Sequence, residues 1–180
     1  MKRVCLFGPE STGKTTLGRA LALHYGAELI PEYGRTYAEA HGQGFTARDA
    51  MKIVEGHLAG VALAMRSGAP VVIEDTDPVL TAIWCDVLLG ARDPWFDQFS
   101  DTADLYLLTG IDVPFEPDAI RFFPDEAARR DFHDRCRREL ERRGLPYVEV
   151  TGSKLQRLST AIEAIDARLL APHAPDPIRR

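Results

Sequence analysis

Residues 8–15 read Gly8-Pro9-Glu10-Ser11-Thr12-Gly13-Lys14-Thr15. They fit the pattern G-x-x-x-x-G-K-[ST], which is that of a phosphate-binding loop. Residues 2–7 include a short apolar run typical of a buried strand, and residues 14–25 have apolar side chains at helical spacing. Because strand, loop and helix follow one another as the motif requires, a chance match in a glycine-containing turn is a poor alternative.

Each part of the phosphate-binding loop has a physical role in holding an anion. Gly8 and Gly13 allow backbone conformations that other residues avoid, so the chain can approach a phosphate closely. Successive N–H groups and the start of the next helix present partial positive charge to it. The Lys14 ammonium can bridge the outer phosphates, and the Thr15 hydroxyl can ligate Mg²⁺. The predicted nucleotide-binding residues are Gly8, Glu10, Ser11, Thr12, Gly13, Lys14, Thr15 and Thr16.

Composition indicates one globular domain. The 180 residues are 45% hydrophobic and 27% charged, and the net charge of -5 argues against a nucleic-acid partner held by bulk attraction. Cys5, Cys85 and Cys136 are far apart and odd in number, which argues against a disulfide framework and a zinc site. The chain opens on strand and loop without a signal peptide, and no apolar run approaches the ~20 residues that span a bilayer. We therefore expect a cytoplasmic protein without a membrane partner; the oligomeric state stays open.

Five short apolar segments alternate with helical patterns along the chain. This order predicts an α/β fold of three layers, with a five-stranded, mostly parallel sheet and helices on both faces. Thr46 and Asp49 predict a capping box for a helix that runs to Arg66, and Asp77 before Pro78 predicts the cap of the next helix. We expect a single domain over residues 1–170 and a loose tail over residues 171–180, which contain three prolines. The predicted strands are 2–7, 27–30, 70–73, 104–109 and 146–150.

Acidic residues follow two of these strands, and we expect both strands to neighbour the first. Asp75 closes the third strand, where it can hold Mg²⁺ directly or through water, so Thr15 and Asp75 are the predicted metal residues. Asp77 can face a substrate or serve only as the helix cap. Glu32 closes the second strand and can accept the proton of an attacking hydroxyl, with Arg35 near it; the alternative is a solvated Glu–Arg pair of little energetic value.

Basic and aromatic residues complete the candidate site. Residues 110–121 form a predicted loop of the length typical of lids, and Arg121 at its end can stabilise the charge of a transferring phosphoryl group. A flat ring can stack on an aromatic side chain, although core packing explains Trp84 about as well. The aromatic candidates are Tyr33, Tyr37, Trp84 and Trp95.

Four segments together, residues 8–17, 31–35, 75–77 and 112–121, resemble the ribosylnicotinamide kinase domain of the NadR family. The resemblance runs from about residue 2 to about residue 170. It implies a P-loop NTPase-type fold with an Arg-containing lid, and a kinase that moves the γ-phosphate of ATP to the 5′-hydroxyl of nicotinamide riboside with Mg²⁺. The product is nicotinamide mononucleotide, as in NAD salvage.

The resemblance also implies roles for individual residues. Lys14 and Thr15 bind the ATP phosphates and Mg²⁺, Asp75 and Asp77 lie by the metal and the ribose, and Arg121 belongs to the lid. Gly34 stands where the family often has Ala. The DNA-binding and adenylyltransferase domains that family members often carry do not fit in 180 residues, so a repressor role is not expected.

We interpret the site as one for direct in-line phosphoryl transfer, with Glu32 or Asp75 as the base. The predicted catalytic residues are Lys14, Glu32, Asp75 and Arg121; the predicted substrate-binding residues are Glu32, Tyr33, Arg35, Asp75, Asp77, Trp84 and Trp95. Three alternatives remain at this stage. They are a kinase for another nucleoside or small hydroxyl substrate, a nucleotide-dependent ATPase or switch, and a regulatory module that binds nucleotide without turnover.

Overall fold

A computed structural model describes residues 1–42, 44–116 and 125–171. The strands are β1 (Lys2–Phe7), β2 (Leu29–Ile30), β3 (Val71–Asp75), β4 (Leu105–Thr109) and β5 (Tyr147–Val150). The helices are α1 (Lys14–Tyr25), α2 (Tyr33–His41), α3 (Ala47–Ala64), α4 (Pro78–Leu89), α5 (Trp95–Gln98), α6 (Glu126–Arg143) and α7 (Lys154–Ile165). A π-helical turn over Asp166–Leu170 continues α7.

The five strands form one sheet in the order β2-β3-β1-β4-β5. Every strand pair in the described part of the chain is parallel, so the predicted sheet is confirmed and no antiparallel strand joins it there. One expectation was wrong. β2 pairs with β3 and does not lie beside β1, so Glu32 stands one strand further from the phosphate-binding loop than Asp75 does.

Alternating side chains of the central strands build a separate apolar cluster on each face of the sheet. Val4 and Leu6 of β1 point into a cluster with α1 and α7, whereas Cys5 and Phe7 point into a cluster with α4 and α6. The period of two in a strand sends neighbouring residues to opposite faces, and both faces here are covered by helices. The three-layer architecture expected from the sequence is therefore present.

Helix boundaries follow from local capping. Thr46 and Asp49 form the predicted capping box at the start of α3, which ends at Ala64, two residues before the predicted end. α2 begins at Tyr33, and Glu32 is its N-cap residue without a side-chain cap hydrogen bond. Ser153 forms a second capping box at the start of α7 with Gln156.

No helix in the described residues is both long and apolar enough to cross a bilayer. Arg121 and residues 172–180 lie outside the described residues.

Candidate active site

The phosphate-binding loop requires its glycines. Gly8 has φ +128 and Gly13 has φ +82, both in the left-handed region that side chains with a Cβ disfavour. A Cβ on Gly8 would also lie 2.9 Å from Thr109 Oγ1 and 3.0 Å from the Thr109 carbonyl oxygen. Gly8 is thus needed both for its conformation and for the close approach of the loop to the end of β4.

The loop leads into α1 with its first-turn N–H groups available to an anion. Gly13 is the N-cap of α1 and makes no side-chain cap hydrogen bond. Lys14 is buried, and its Nζ donates to the carbonyl oxygens of Pro9 at 2.6 Å and Gly8 at 3.1 Å. The helix start and the ammonium therefore place positive charge where a phosphate group would lie.

The end of β3 fits a magnesium ion beside the loop. The Thr15 hydroxyl donates to Oδ2 of Asp75 at 2.5 Å, and Asp75 is buried. In the described residues, Oδ1 of Asp75 is buried without a hydrogen-bond partner. A hydroxyl and a carboxylate with an uncommitted oxygen suit Mg²⁺, which takes few protein ligands and fills its shell with water and phosphate oxygens. Thr15 and Asp75 are thus the residues that would hold the ion.

Glu32 stands at the N-cap of α2 and is partly buried. Burial raises the pKa of its carboxyl group; the charge of Lys14 opposes this shift, and that of Asp75 adds to it. The charges of Lys14 and Asp75 therefore both act on the carboxyl group of Glu32. A carboxylate with a raised pKa beside the phosphate-binding loop has the properties of a general base.

One cavity of about 1000 Å³ brings most of the predicted site together. All eight predicted nucleotide-binding residues line it, as do Glu32, Arg35 and Trp84 from the predicted acceptor side. Asp75 lies behind this surface, joined to the lining residue Thr15 by the hydrogen bond described above. Nucleotide and acceptor candidates therefore share one space.

The structure does not bring Asp77 to the cavity wall. Oδ1 of this buried carboxylate accepts hydrogen bonds from the N–H groups of Val79 and Leu80, and Oδ2 accepts from the Tyr106 hydroxyl at 2.5 Å. Burial, together with the charge of Glu74, raises the pKa of Asp77 to about 6. Its arrangement is that of a helix cap, the second of the two roles open from the sequence.

Tyr33 and Trp95 also lie away from the cavity wall. Tyr33 opens α2 and packs so closely on α3 that a Cβ on Gly56 would lie 2.2 Å from its ring. Trp95 opens α5, with its ring centroid 5.3 Å from that of Phe96 and 5.2 Å from that of Phe99. Packing against neighbouring elements explains both side chains, so the predicted contact with an acceptor ring falls to Trp84 and Tyr37.

Sequence reasoning missed several residues of the cavity. Thr76, between β3 and α4, has φ +70, which is strained for a β-branched residue. It lines the cavity directly after Asp75, and nothing in the sequence signals its conformation. Other missed cavity residues include Phe45, Ile53, Leu80, Thr81 and Leu88, which come from α3, α4 and the segment before α3.

A second group of cavity residues comes from two segments that each follow a strand. The first segment is residues 112–114 and 116, after β4, and the second is residues 152–155, 157 and 158, after β5. The N–H group of Glu116 donates to Oγ of Ser11 at 2.8 Å, which joins the first of these segments to the phosphate-binding loop. The first segment belongs to the predicted binding loop, whereas no sequence pattern placed the second at the site.

Comparisons with known proteins identify the family and support the fold. A family model described as an AAA domain matches residues 3–157. The chain belongs to this AAA domain family. It is also 29% identical over 156 residues to the trifunctional NAD biosynthesis/regulator protein NadR of Escherichia coli, a match that covers 83% of this chain and 38% of that protein. The resemblance to the NadR family noted from the sequence is confirmed.

Solved structures extend the match over nearly the whole chain. A crystal structure of NadR protein in complex with NR has a TM-score of 0.76 and 26% identity, covering 95% of this chain and 52% of that one. A NadR complex with NAD and AMP-PNP has a TM-score of 0.72 and 26% identity, covering 96% and 51%. The AAA domain chain thus spans about half the length of the solved NadR chains. Deoxyadenosine kinase from M. mycoides, at a TM-score of 0.66 and 11% identity over 92% of this chain and 99% of that one, shares the fold.

Proposed function

We propose that this AAA domain protein transfers the γ-phosphate of ATP to the 5′-hydroxyl of nicotinamide riboside and releases nicotinamide mononucleotide and ADP. The observation that carries the proposal is that the phosphate-binding loop and Glu32 face the same cavity. The NadR relative and the NadR complexes with NR and with AMP-PNP support the choice of acceptor and donor.

Lys14 and the first turn of α1 would bind the β- and γ-phosphates and stabilise the charge that spreads over the transferred group. Mg²⁺, when held by Thr15 and Asp75, would supply further charge neutralisation at the phosphates. These residues account for the donor half of the site.

Glu32 is the base of choice in this arrangement. Its carboxylate lines the cavity and has a raised pKa, whereas Asp75 is buried behind the wall and bonded to Thr15. Glu32 would orient the acceptor hydroxyl and accept its proton as the oxygen attacks the γ-phosphorus in line with the leaving ADP oxygen. The role of Arg121 in closing over the transferring group stays a prediction from the sequence.

The acceptor half of the cavity suits a flat ring on a ribose. Trp84 lines it and packs against Phe132 of α6, whose ring centroid lies 4.4 Å away. A supported indole ring presents a rigid face for stacking. Glu32 and Arg35 add polar groups to the same cavity.

A substrate panel tests the proposal. ADP release is measured with ATP and Mg²⁺ in the presence of nicotinamide riboside, each of the four common nucleosides, or shikimate-like polyols. Nicotinamide riboside should give the highest kcat/KM. A preferred nucleoside would replace the proposed acceptor, and equal ADP release without any acceptor would favour an ATPase or switch.

Lys14→Ala provides the matching variant. It should lose nearly all turnover while remaining folded, because the ammonium that neutralises the phosphates is removed. Lys52→Ala, an exposed lysine of α3, is the control and should keep wild-type turnover. Wild-type rates in purified Lys14→Ala protein would refute the proposed phosphoryl transfer.

A further inference from the structure

Two buried arginines contact the phosphate-binding loop from helices that are remote from it in sequence. Arg129 of α6 is 4% exposed and Arg157 of α7 is 5% exposed. Nη2 of Arg129 donates to the carbonyl oxygen of Ser11 at 3.3 Å, and Nη1 of Arg157 donates to that of Thr12 at 2.9 Å. The two guanidinium groups therefore hold consecutive carbonyl groups of the loop.

Holding these carbonyls also fixes the next N–H groups. A trans peptide is planar, so its C=O and N–H point in opposite directions. The Ser11 carbonyl sets the direction of the Thr12 N–H, and the Thr12 carbonyl sets that of the Gly13 N–H. Thr12 and Gly13 both line the cavity, and Ser11 has φ +55, a conformation that needs support in a residue with a Cβ.

The same arginines join the loop to the segment after β4. Nη2 of Arg129 also donates to the Val113 carbonyl at 3.3 Å, and Nη2 of Arg157 donates to that of Gly110 at 3.2 Å and forms an ion pair with Asp112. Nε of Arg157 donates to the Gly152 carbonyl at 2.9 Å. A guanidinium has five donors in a rigid plane and can hold several carbonyls at once, which a lysine ammonium on a flexible stem does far less well.

We propose that Arg129 and Arg157 are positioning residues that hold the Ser11–Thr12 and Thr12–Gly13 peptides with their N–H groups directed at the nucleotide phosphates. The loop is then arranged before the nucleotide arrives, and binding costs less ordering entropy. The inference rests on the nucleotide-binding part of the proposed function and does not depend on the identity of the acceptor.

Arg129→Lys and Arg157→Lys test the proposal, because each keeps its positive charge and loses the planar set of donors. Arg130→Lys is the matched control on α6, since Arg130 is exposed and pairs with Glu126. Arg168→Lys, in the exposed turn after α7, is the second control. The readouts are the Kd of AMP-PNP with Mg²⁺ by calorimetry, and the Tm with and without that nucleotide.

Each test variant should bind the nucleotide about tenfold more weakly, as expected for a lost hydrogen bond to a charged group. The rise in Tm on adding nucleotide should shrink, while both controls stay within twofold of the wild-type Kd. Leu169→Ala, at a partly buried core position, separates positioning from general loss of stability. It should lower the Tm of the free protein and leave the Kd unchanged.

Wild-type affinity in both lysine variants would overturn the proposal. The proposal is also overturned if Leu169→Ala, at an equal loss of Tm, weakens AMP-PNP binding as much as the two lysine variants do. Since no acceptor is present in these measurements, a failure here is distinct from an absence of nicotinamide riboside phosphorylation.

Discussion

Glu32 draws its chemical character from its position between β2 and α2. As the N-cap of α2 it is partly buried, and burial raises the pKa of its carboxyl group even though Lys14 opposes the shift. A base works only when deprotonated. Turnover should therefore fall as the pH drops through the pKa of Glu32, which lies above the ordinary value of 4.5.

Glu32→Gln should lower kcat by about 10²- to 10⁴-fold and remove this acidic limb from the pH profile, because glutamine cannot accept the proton. The measurement is kcat against pH with saturating ATP and nicotinamide riboside. Glu39→Gln is the control, since Glu39 is an exposed residue of the same helix paired with Arg35. An unchanged acidic limb in Glu32→Gln would assign the base to another residue.

Gly34 is the position at which the resemblance to the NadR family implies Ala. A Cβ there would lie 3.7 Å from Cγ2 of Ile53, an ordinary contact, and the residue lies inside α2. Gly34→Ala should raise the free energy of unfolding by roughly 0.5 kcal/mol through helix propensity and keep kcat within twofold. Urea unfolding and the kinase assay check the two expectations.

Gly56→Ala is the contrasting variant and should lower the free energy of unfolding. A Cβ on Gly56 would lie 2.2–2.6 Å from atoms of the Tyr33 ring, so this ring must move from its place against α3. Overpacking of this kind costs about 1–3 kcal/mol. Of these two positions, only a Cβ on Gly56 would meet an atom at less than van der Waals distance. If Gly34→Ala lowered the free energy of unfolding as much as Gly56→Ala does, this difference between the two glycines would be contradicted.

Helix α6 is held to its neighbours by ion pairs around one buried carboxylate. Oε1 of Glu139 accepts from Nη1 of Arg92 at 2.7 Å and from Nε of Arg143 at 2.8 Å, and Arg142 donates to both carboxylate oxygens. Burial opposes ionisation, but the hydrogen bonds from Arg142, Arg92 and Arg143 outweigh it and lower the pKa of Glu139 to about 2. The cluster joins α6 to the segment between α4 and α5.

This cluster predicts a dependence of stability on pH. Because the folded-state pKa of Glu139 is lowered from 4.5 to about 2, its stabilisation is present above pH 4.5 and is lost as the pH falls towards 2. Glu139→Gln should lower the free energy of unfolding at pH 7 by roughly 3 kcal/mol and flatten its pH dependence in that window. Urea unfolding at a series of pH values measures both.

Asp131→Asn is the matched control on the same helix. Asp131 is exposed and pairs with Arg135 one turn away, an arrangement worth at most about 0.5 kcal/mol. The role assigned to Glu139 is contradicted if the two variants lose similar stability or if Glu139→Gln keeps the wild-type pH dependence.

Across the whole molecule, the central strands contribute side chains to both apolar clusters. β1 and β4 each contribute alternate residues to the cluster under α1 and α7 and to the cluster under α4 and α6. Neither face can lose its packing without disturbing the other. We therefore propose that residues 1–170 are a single domain, as expected from the sequence.

Unfolding should accordingly be one cooperative transition. Far-UV circular dichroism reports the helices and sheet throughout, whereas the fluorescence of Trp84 and Trp95 reports α4 and α5. The two urea midpoints should coincide. Separate midpoints would show that the region around α4 and α5 unfolds on its own and would contradict the single domain.

Local patterns in the sequence were enough to predict the fold class and the position of the phosphate-binding loop between β1 and α1. The phosphate-binding loop, the five strands and the caps at Thr46 and Asp77 depend on neighbouring residues, so their signals lie within a few positions of one another. These features could be predicted without knowledge of distant contacts. Placing Asp75 beside Thr15, 60 residues away, also required the expectation of a parallel sheet, whose strand ends meet at one edge.

Contacts between distant residues became known only from the assembled fold. Strand order placed β2 beyond β3 and not beside β1, and helix packing took Tyr33 and Trp95 away from the cavity. Arg129 and Arg157 are 118 and 145 residues from the loop carbonyls that they bind, and in the sequence they look like other arginines of charged helices. Their proposed positioning role depends on where α6 and α7 pack, which no local pattern encodes.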